Sequence, residues 1–254
     1  MNATLKQIVE TGYTKTPEGE SLRVHSSISA DEGLLLQELI WRFKPTITLE
    51  IGLAFGVSAL YICEAMERNN NARHTVIDPH QYKDPWGGNG WKGVGIYNLR
   101  QAGYGSMVDF IELPSYQALP QMERSGQKID FAFIDGWHTF DYSLIDFFYI
   151  DKMLRVGGVV VLDDADWASI RKLCRYVLMN LAYEVVPLVS SVAPLKRGAF
   201  SRTMDRLKGI LKIGGRFLKP ELVRSDQAMG LQGDMVAFRK KSEDIRKWDF
   251  HREF

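Results

Sequence analysis

Four carboxylates stand where chemistry could be done. Asp78 ends the run HTVID, Asp135 ends FAFID, and Asp163 and Asp164 end VVVLDD. Each closes a short apolar stretch of strand character. A carboxylate in such a place is costly unless it meets a cation or hydrogen-bond donors. One alone reads as readily as a helix N-cap or a salt-bridge partner; four at equivalent points suggest a shared rim. Asp135, Asp163 and Asp164 form a set able to hold a hard divalent cation such as Mg²⁺, which prefers carboxylate oxygens. His138 follows Asp135 by three residues, in the segment Asp-Gly-Trp-His. An imidazole titrates near neutrality and suits a general base, although a surface-loop histidine is the plain alternative. Trp137, beside it, could stack on a purine ring or simply seal the loop. His74 reads as structural.

A second constellation lies upstream. Residues 48–60, TLEIGLAFGVSAL, read as an apolar strand, a tight turn and the start of a helix. Gly52 and Gly56 bracket the turn, where the backbone must bend sharply or approach a ligand closely. Amides opening a helix make a seat for a polar or anionic group. The dinucleotide fingerprint would need a glycine at Ala54, so the order here is Glu50, Gly52, then Gly56. Asp78 lies 22 residues past Gly56, a placement suited to accepting hydrogen bonds from ribose hydroxyls. A turn-forming Asp before Pro79 is the plainer reading.

The elements that must carry these residues alternate. Strands are expected at 46–51, 74–78, 107–111, 131–135, 159–162, 184–189 and 235–239. Helices are expected from 29 to 43, from the glycine turn to 68, and over 96–102, 115–124, 140–154 and 170–182. Ser29 followed by Glu32 is a capping-box pattern that opens the first helix. Residues 1–28 read as polar and irregular, and Gly157-Gly158 reads as a turn into the fifth strand. Alternating strands and helices imply a doubly wound parallel sheet of the α/β class, with ligands at the carboxyl ends of the strands. The chain divides into an N-terminal helical cap segment (1–45) and a main domain (46–254) that carries a basic insertion at 190–232.

With 254 residues, 45% hydrophobic and 25% charged, the chain has the make-up of a globular protein with one core. A net charge of +1 gives no overall pull toward nucleic acid or membrane, and no nucleic-acid partner is expected. Cys63 and Cys174 fall in expected helices, which argues against a disulfide framework. A reducing, cytoplasmic setting follows as an expectation. Two stretches stand outside the alternation. The loop at 79–95 holds Trp86 and Trp91, which could stack on an acceptor or pin the loop. The segment 196–224 holds nine basic residues against Asp205 and Glu221. It could touch an anionic membrane surface peripherally, cover the active site or pair subunits in a homo-oligomer.

The motifs LEIGLAFGVS, VIDP, FAFIDGWH and GGVVVLDD, in this order and spacing, resemble those of class I S-adenosylmethionine-dependent methyltransferases. More narrowly, they resemble the divalent-metal-dependent O-methyltransferases, including catechol-type and macrolide-sugar-modifying enzymes. The resemblance runs from about residue 29 to 189. It implies a Rossmann-like, seven-stranded, mostly parallel sheet with the last strand antiparallel and helices on both faces. It also implies that Gly52, Ala54 and Ser58 line the methionine end of S-adenosylmethionine with Glu50 beneath. Asp78 would hold the ribose, Ser115 and Tyr116 would reach the adenine, and Trp137 would pack on it. Asp135, Asp163 and Asp164 would hold the metal, and His138 would be the base, as in the sugar-modifying branch. Catechol-type members usually carry Asp-Asn and a lysine at the corresponding places. Asp163-Asp164 and His138 therefore favour an alcohol or sugar hydroxyl on a small-molecule acceptor.

The chemistry expected is metal-assisted O-methylation. Three alternatives use the same residues. An NAD-dependent oxidoreductase shares the glycine turn and the acid after the second strand. A metal-dependent hydrolase shares the aspartates and His138. A non-catalytic cofactor-binding protein could keep the fold alone.

Overall fold

A computed structural model describes residues 1–82, 90–188, 225–231 and 233–254. The chain opens with α1 (Ala3–Thr11) and a two-stranded hairpin, β1 (Tyr13–Lys15) and β2 (Ser21–Arg23). Next come α2 (Ala30–Phe43), β3 (Ile47–Ile51), α3 (Val57–Met66), β4 (Arg73–Ile77), α4 (Val94–Gln101), β5 (Val108–Ile111) and α5 (Ser115–Arg124). The chain continues with β6 (Ile129–Ile134), α6 (Phe140–Met153), β7 (Leu154–Leu162), α7 (Ala168–Asn180), β8 (Tyr183–Val186) and β9 (Val236–Lys240).

The main sheet has seven strands in the order β5-β4-β3-β6-β7-β9-β8. β3, β4, β5, β6 and β7 pair in parallel, and β9 runs antiparallel to both of its neighbours. The fold expected from the motifs is therefore the fold observed. The period of two along each strand divides the core between two faces. Phe131, Phe133, Val159 and Val161 point toward α2, α3 and α4, while Ala132, Ile134, Val160 and Leu162 point toward α5, α6 and α7. α3 is buried almost all round, with Leu60, Tyr61 and Ile62 inaccessible, because the sheet, α1, α2 and α4 all pack on it. Among the described residues no helix is long and apolar enough to cross a membrane.

Local chemistry explains the boundaries. Ser29 caps α2, and the Glu32 carboxylate takes the Ser29 amide and hydroxyl at 2.7 and 2.8 Å, which completes the capping box. Lys44 ends the helix in a left-handed conformation, φ 48°, just before Pro45.

Two expectations fail. Residues 1–28 are not irregular. Leu5 and Ile8 of α1 are buried, and Thr14 of the hairpin donates to Asn98 Oδ1 at 2.7 Å. Asn98 in turn donates to the Phe55 carbonyl at 2.9 Å. Strands of three residues are too short to show a period, so tertiary bonds rather than pattern define them. Nor is Gly157-Gly158 a turn into a strand. Both glycines lie inside β7, at a bulge where Ile129 pairs with Leu154 but Phe131 pairs with Val159. Gly157 has φ 88°. A Cβ at Gly158 would come within 2.9 Å of the Asp130 carbonyl, so the bulge needs glycine for close approach. The tryptophan at 86 and the basic segment 196–224 lie outside the described residues.

Candidate active site

The carboxyl ends of β3, β4, β6 and β7 open onto a cleft of about 1040 Å³. That is at the top of the range of roughly 300–1,000 Å³ for single small-ligand pockets, leaving room for two ligands side by side. One wall is the glycine turn. Gly52 has φ 91°, and a Cβ there would lie 2.0 Å from the Asp135 carbonyl oxygen. Position 52 is therefore closed to any side chain on two independent grounds. The Gly52 amide donates to Ile77 O at 2.9 Å and the Asp135 amide to Ile51 O at 3.0 Å. These bonds extend the sheet's hydrogen bonding to the cleft edge and hold turn and acid together. Ala54 also has a positive φ, 44°, a strained conformation for a residue with a Cβ.

Asp78 sits in the cleft wall, buried, as the organising acceptor of this turn. Its Oδ2 takes the amides of Leu53 at 3.1 Å and Ala54 at 3.0 Å and the Gln81 side-chain amide at 3.0 Å. Its Oδ1 takes the His80 amide at 2.7 Å. Both plain and functional expectations for Asp78 are thus compatible with its place: it builds the turn and lines the cleft. Ser58, in the first turn of α3, also lines the cleft. Glu50 does not. It is fully buried beneath the wall, where it accepts from the Ser58 hydroxyl and from His74 Nε2. It supports the wall from behind rather than lining the cleft.

At the far side Ser115 and Tyr116 open α5 and Trp137 follows β6, all lining the cleft. Tyr142, in the first turn of α6, joins them. Its ring centroid lies 6.0 Å from Tyr116 and 6.2 Å from Trp137. These half-exposed rings, the first pair edge-to-face and the second tilted, form a group able to flank a flat heterocycle. Trp91 also reaches the cleft, and its ring packs on Phe55 at 5.4 Å and His25 at 5.6 Å. Its amide donates to His80 O at 2.8 Å. It pins the loop and lines the cleft at once. Glu32, Ser26, Ser27 and Ile28 supply a wall that sequence reasoning did not assign to the site. For Glu32 the signal was available, since a capping-box acid must sit at a helix mouth. For 26–28 no pattern pointed there.

The acids converge, though not as the expected trio. Ligand atoms of Asp135, His138 and Asp164 lie within 4.8 Å of one another, and among the described residues this is the group that could hold a metal ion. Asp163 lines the same cleft but falls outside that group, and His138 takes its place. The reason lies at the end of β7. The Asp163 amide still bonds to Ile134 O at 3.1 Å, which keeps that residue in strand geometry, whereas Asp164 turns to φ 49° and swings toward β6. His138 Nε2 is 2.5 Å from Asp164 Oδ2 and 3.4 Å from Asp135 Oδ1. It is nonetheless buried with no properly directed hydrogen bond. Three ligand atoms crowding one point, one of them orphaned, is the geometry an ion would relieve.

Electrostatics agree. Burial first, and then the charges of Asp163, Glu50 and Asp164, push the Asp135 carboxyl well above the usual range. Burial raises Asp163 too, with Glu32 the next cause. Burial also raises Asp164, against the opposing pull of His138. Asp234, from the segment before β9, is raised by burial and by Asp166, Glu32 and Asp164. Such a rim is unfavourable with all its charges and no cation.

Residues 49–165 match a family model described as a methyltransferase domain. A caffeoyl-CoA O-methyltransferase of Petroselinum crispum is 27% identical over 201 residues, covering 69% of this chain and 77% of that protein. The tapetum-specific methyltransferase 1 of Arabidopsis thaliana is 26% identical over 144 residues, covering 55% of each. The chain thus spans about half the length of the first curated relatives it matches. Among solved structures, an O-methyltransferase from Bacillus cereus in complex with SAH superposes with a TM-score of 0.57 at 16% identity, covering 73% of this chain and 83% of that one. None of these relatives is an oxidoreductase. Residues 49–165 are thus similar to a methyltransferase domain, these relatives are methyltransferases, and the chain shares its fold with an O-methyltransferase solved with SAH.

Proposed function

We propose that the protein transfers the methyl group of S-adenosylmethionine to a hydroxyl of a small-molecule acceptor, with a divalent cation at Asp135, His138 and Asp164. One observation supports this most. Gly52, the tightest point of the glycine turn, lies against the backbone of Asp135, one of the three candidate ligands. A donor seated on that turn and an acceptor held at the acid rim are neighbours by construction. Holding two reactants in line is a large service that a protein gives such a displacement.

The chain's residues divide the work. Gly52 and the amides of the turn let a ligand approach the backbone, and Asp78 keeps that turn rigid. Ser58 faces the methionine end, with Ser115, Tyr116, Trp137 and Tyr142 around the adenine. A divalent ion bound at the rim supplies Lewis acidity that lowers the pKa of an acceptor hydroxyl. A set of one imidazole and two carboxylates suits Mn²⁺ or another transition ion as well as Mg²⁺. Asp163, buried and facing the same cleft with its carboxyl pushed up to about 8 by burial, would add negative charge beside the sulfonium only once a bound cation offsets that burial. Caffeoyl-CoA, named for the plant relatives, is one acceptor to test; sugar hydroxyls, suggested by the Asp-Gly-Trp-His motif, are the other class.

His138 as general base is a second reading with its own support. An imidazolium formed there would face Asp164 at 2.5 Å and Asp135 at 3.4 Å. His138→Ala separates the two roles. As a ligand, its loss removes the thermal stabilisation given by the ion; as a base, that stabilisation stays and only methyl transfer falls. Labelled-methyl transfer to caffeoyl-CoA and to a panel of sugars, with and without chelator, tests the function itself. Failure to bind S-adenosylhomocysteine overturns it.

A further inference from the structure

One wall of the cleft has no task in the chemistry above. It is the segment that leads from the N-terminal hairpin into α2, where Ser26, Ser27, Ile28 and Glu32 face the cavity. The His25 ring, just before it, packs on Trp91 at 5.6 Å, and Trp91 lines the cavity too. Glu32 is the charged member of this wall. Its Oε2 takes both the Ser29 amide and the Ser29 hydroxyl, at 2.7 and 2.8 Å. A carboxylate has about four lone-pair sites spread over two oxygens. Among the described residues no hydrogen-bond donor meets the second oxygen, Oε1. The cap does not call for a charge at all, because glutamine completes a capping box as glutamate does.

The neighbourhood has one sign. Burial is the first influence on Asp135, Asp163, Asp164 and Asp234, yet the Glu32 charge is felt at each of them, which puts it on the acid side of the cleft. The other acids there have work. Asp78 is saturated by the turn, Asp135 and Asp164 gather with His138, and Asp163 is buried. Among the described residues, no Lys or Arg lines the cavity.

We infer that Glu32 is a specificity-determining residue for the acceptor: its uncommitted oxygen receives an ammonium group carried beside the hydroxyl to be methylated, so the acceptor class is a hydroxylated amine. This selectivity rests on the methyl-transfer reading and narrows its acceptor. A partly buried carboxylate gives such a pair more than an exposed one would. The indole face of Trp91, beside the same wall, also suits a cation. An anionic acceptor meets the same carboxylate with the sign reversed, and repelling the wrong ligand contributes to choice as attraction of the right one does.

The test measures binding by calorimetry to protein loaded with S-adenosylhomocysteine and Mn²⁺ at neutral pH. Two matched pairs serve as probes: D-glucosamine with N-acetyl-D-glucosamine, and dopamine with N-acetyldopamine. Acetylation removes the charge and keeps the hydroxyls. The amine of at least one pair is expected to bind about tenfold or more tighter than its acetylated partner, as for one charge-assisted hydrogen bond. In Glu32→Gln, which keeps the cap, that preference is expected to fall below about threefold. Wild type alone gives a second reading, since the preference should shrink as salt is raised. A preference that survives Glu32→Gln, or that ignores salt, overturns the proposal. So does equal binding within both pairs, binding of none of the four, or caffeoyl-CoA bound more tightly than both amines. All of these leave methyl transfer standing while S-adenosylhomocysteine binds; protein that fails to bind it overturns that reading instead.

Discussion

The two walls of the cleft treat their acids in opposite ways. On the donor wall each buried carboxylate is satisfied: Asp78 has four donors, and Glu50 has Ser58 and His74. On the acid rim the carboxylates crowd one another, Asp164 is held at positive φ, and His138 Nε2 lacks a directed partner. A satisfied carboxylate is finished structure; a crowded one is a site waiting for charge of the opposite sign. The donor wall is preorganised by the fold alone, whereas the rim, on the function proposed above, is completed by a bound cation.

The contrast can be broken at the point where the walls touch. Gly52→Ala puts a Cβ 2.0 Å from the Asp135 carbonyl and forces φ 91° on a residue with a side chain. It is expected to abolish measurable S-adenosylhomocysteine binding and cost about 2–4 kcal/mol of stability, read by calorimetry and denaturant melts. A stable variant with intact binding contradicts this account of the turn.

Asp164→Ala should strike one wall only. Methyl transfer is expected to fall about 100-fold or more while S-adenosylhomocysteine affinity stays within about threefold. The apo variant should melt no lower than wild type, because a crowded charge has gone. Parallel loss of both ligand binding and transfer would mean that the walls are not independent.

Metal addition sharpens the same point. Saturating Mn²⁺ or Mg²⁺, at about 100 times its dissociation constant, should stabilise the wild type by about 2.7 kcal/mol in a thermal melt. Asp135→Asn should lose most of that gain. A wild-type melting temperature indifferent to every divalent ion removes the rim from the mechanism.

A smaller effect lies just behind the rim. Asp146 of α6 is 1% exposed, its Oδ1 has no hydrogen-bond partner, and burial pushes its carboxyl up to about 6, opposed by the Ser115 hydroxyl. The folded state therefore holds this proton more tightly than the unfolded chain. Its contribution to stability is greatest below about pH 4 and is lost as pH rises to about 6, then stays lost. Asp146→Asn is expected to match wild type at pH 4 and to exceed it by about 1–3 kcal/mol at pH 7.5. Equal differences at both pH values would show that burial is not the cause. Least of all, Tyr142→Ala should weaken donor binding by about 1 kcal/mol, the worth of one ring contact.

Much of this was legible in the chain. Apolar runs ending in Asp78, Asp135 and Asp163-Asp164 gave the strands and put the acids at their carboxyl ends, because a strand's position in a parallel sheet settles which end faces the ligand. The glycine turn was readable because only glycine fits φ 91° against a carbonyl. The N-terminal helix and hairpin were not readable, since three-residue strands carry no period and their bonds reach residues such as Asn98, 84 positions away. Tyr142 and residues 26–28 were missed because cleft membership depends on how α6 and the segment before α2 pack, which local pattern does not encode.

By itself the sequence determined the alternating strands and helices of the main domain and the chemical type of each strand-tip residue, since these follow from period, propensity and side-chain identity along a few residues. Only the tertiary structure decided which of those residues share a point in space. It placed His138 rather than Asp163 with Asp135 and Asp164, and withdrew Glu50 from the cleft to serve Ser58 from below. The physical reason is that a metal-sized gathering depends on the direction of a few Cα–Cβ bonds at strand ends. Those directions are set by backbone turns, such as φ 49° at Asp164, that neighbouring strands impose.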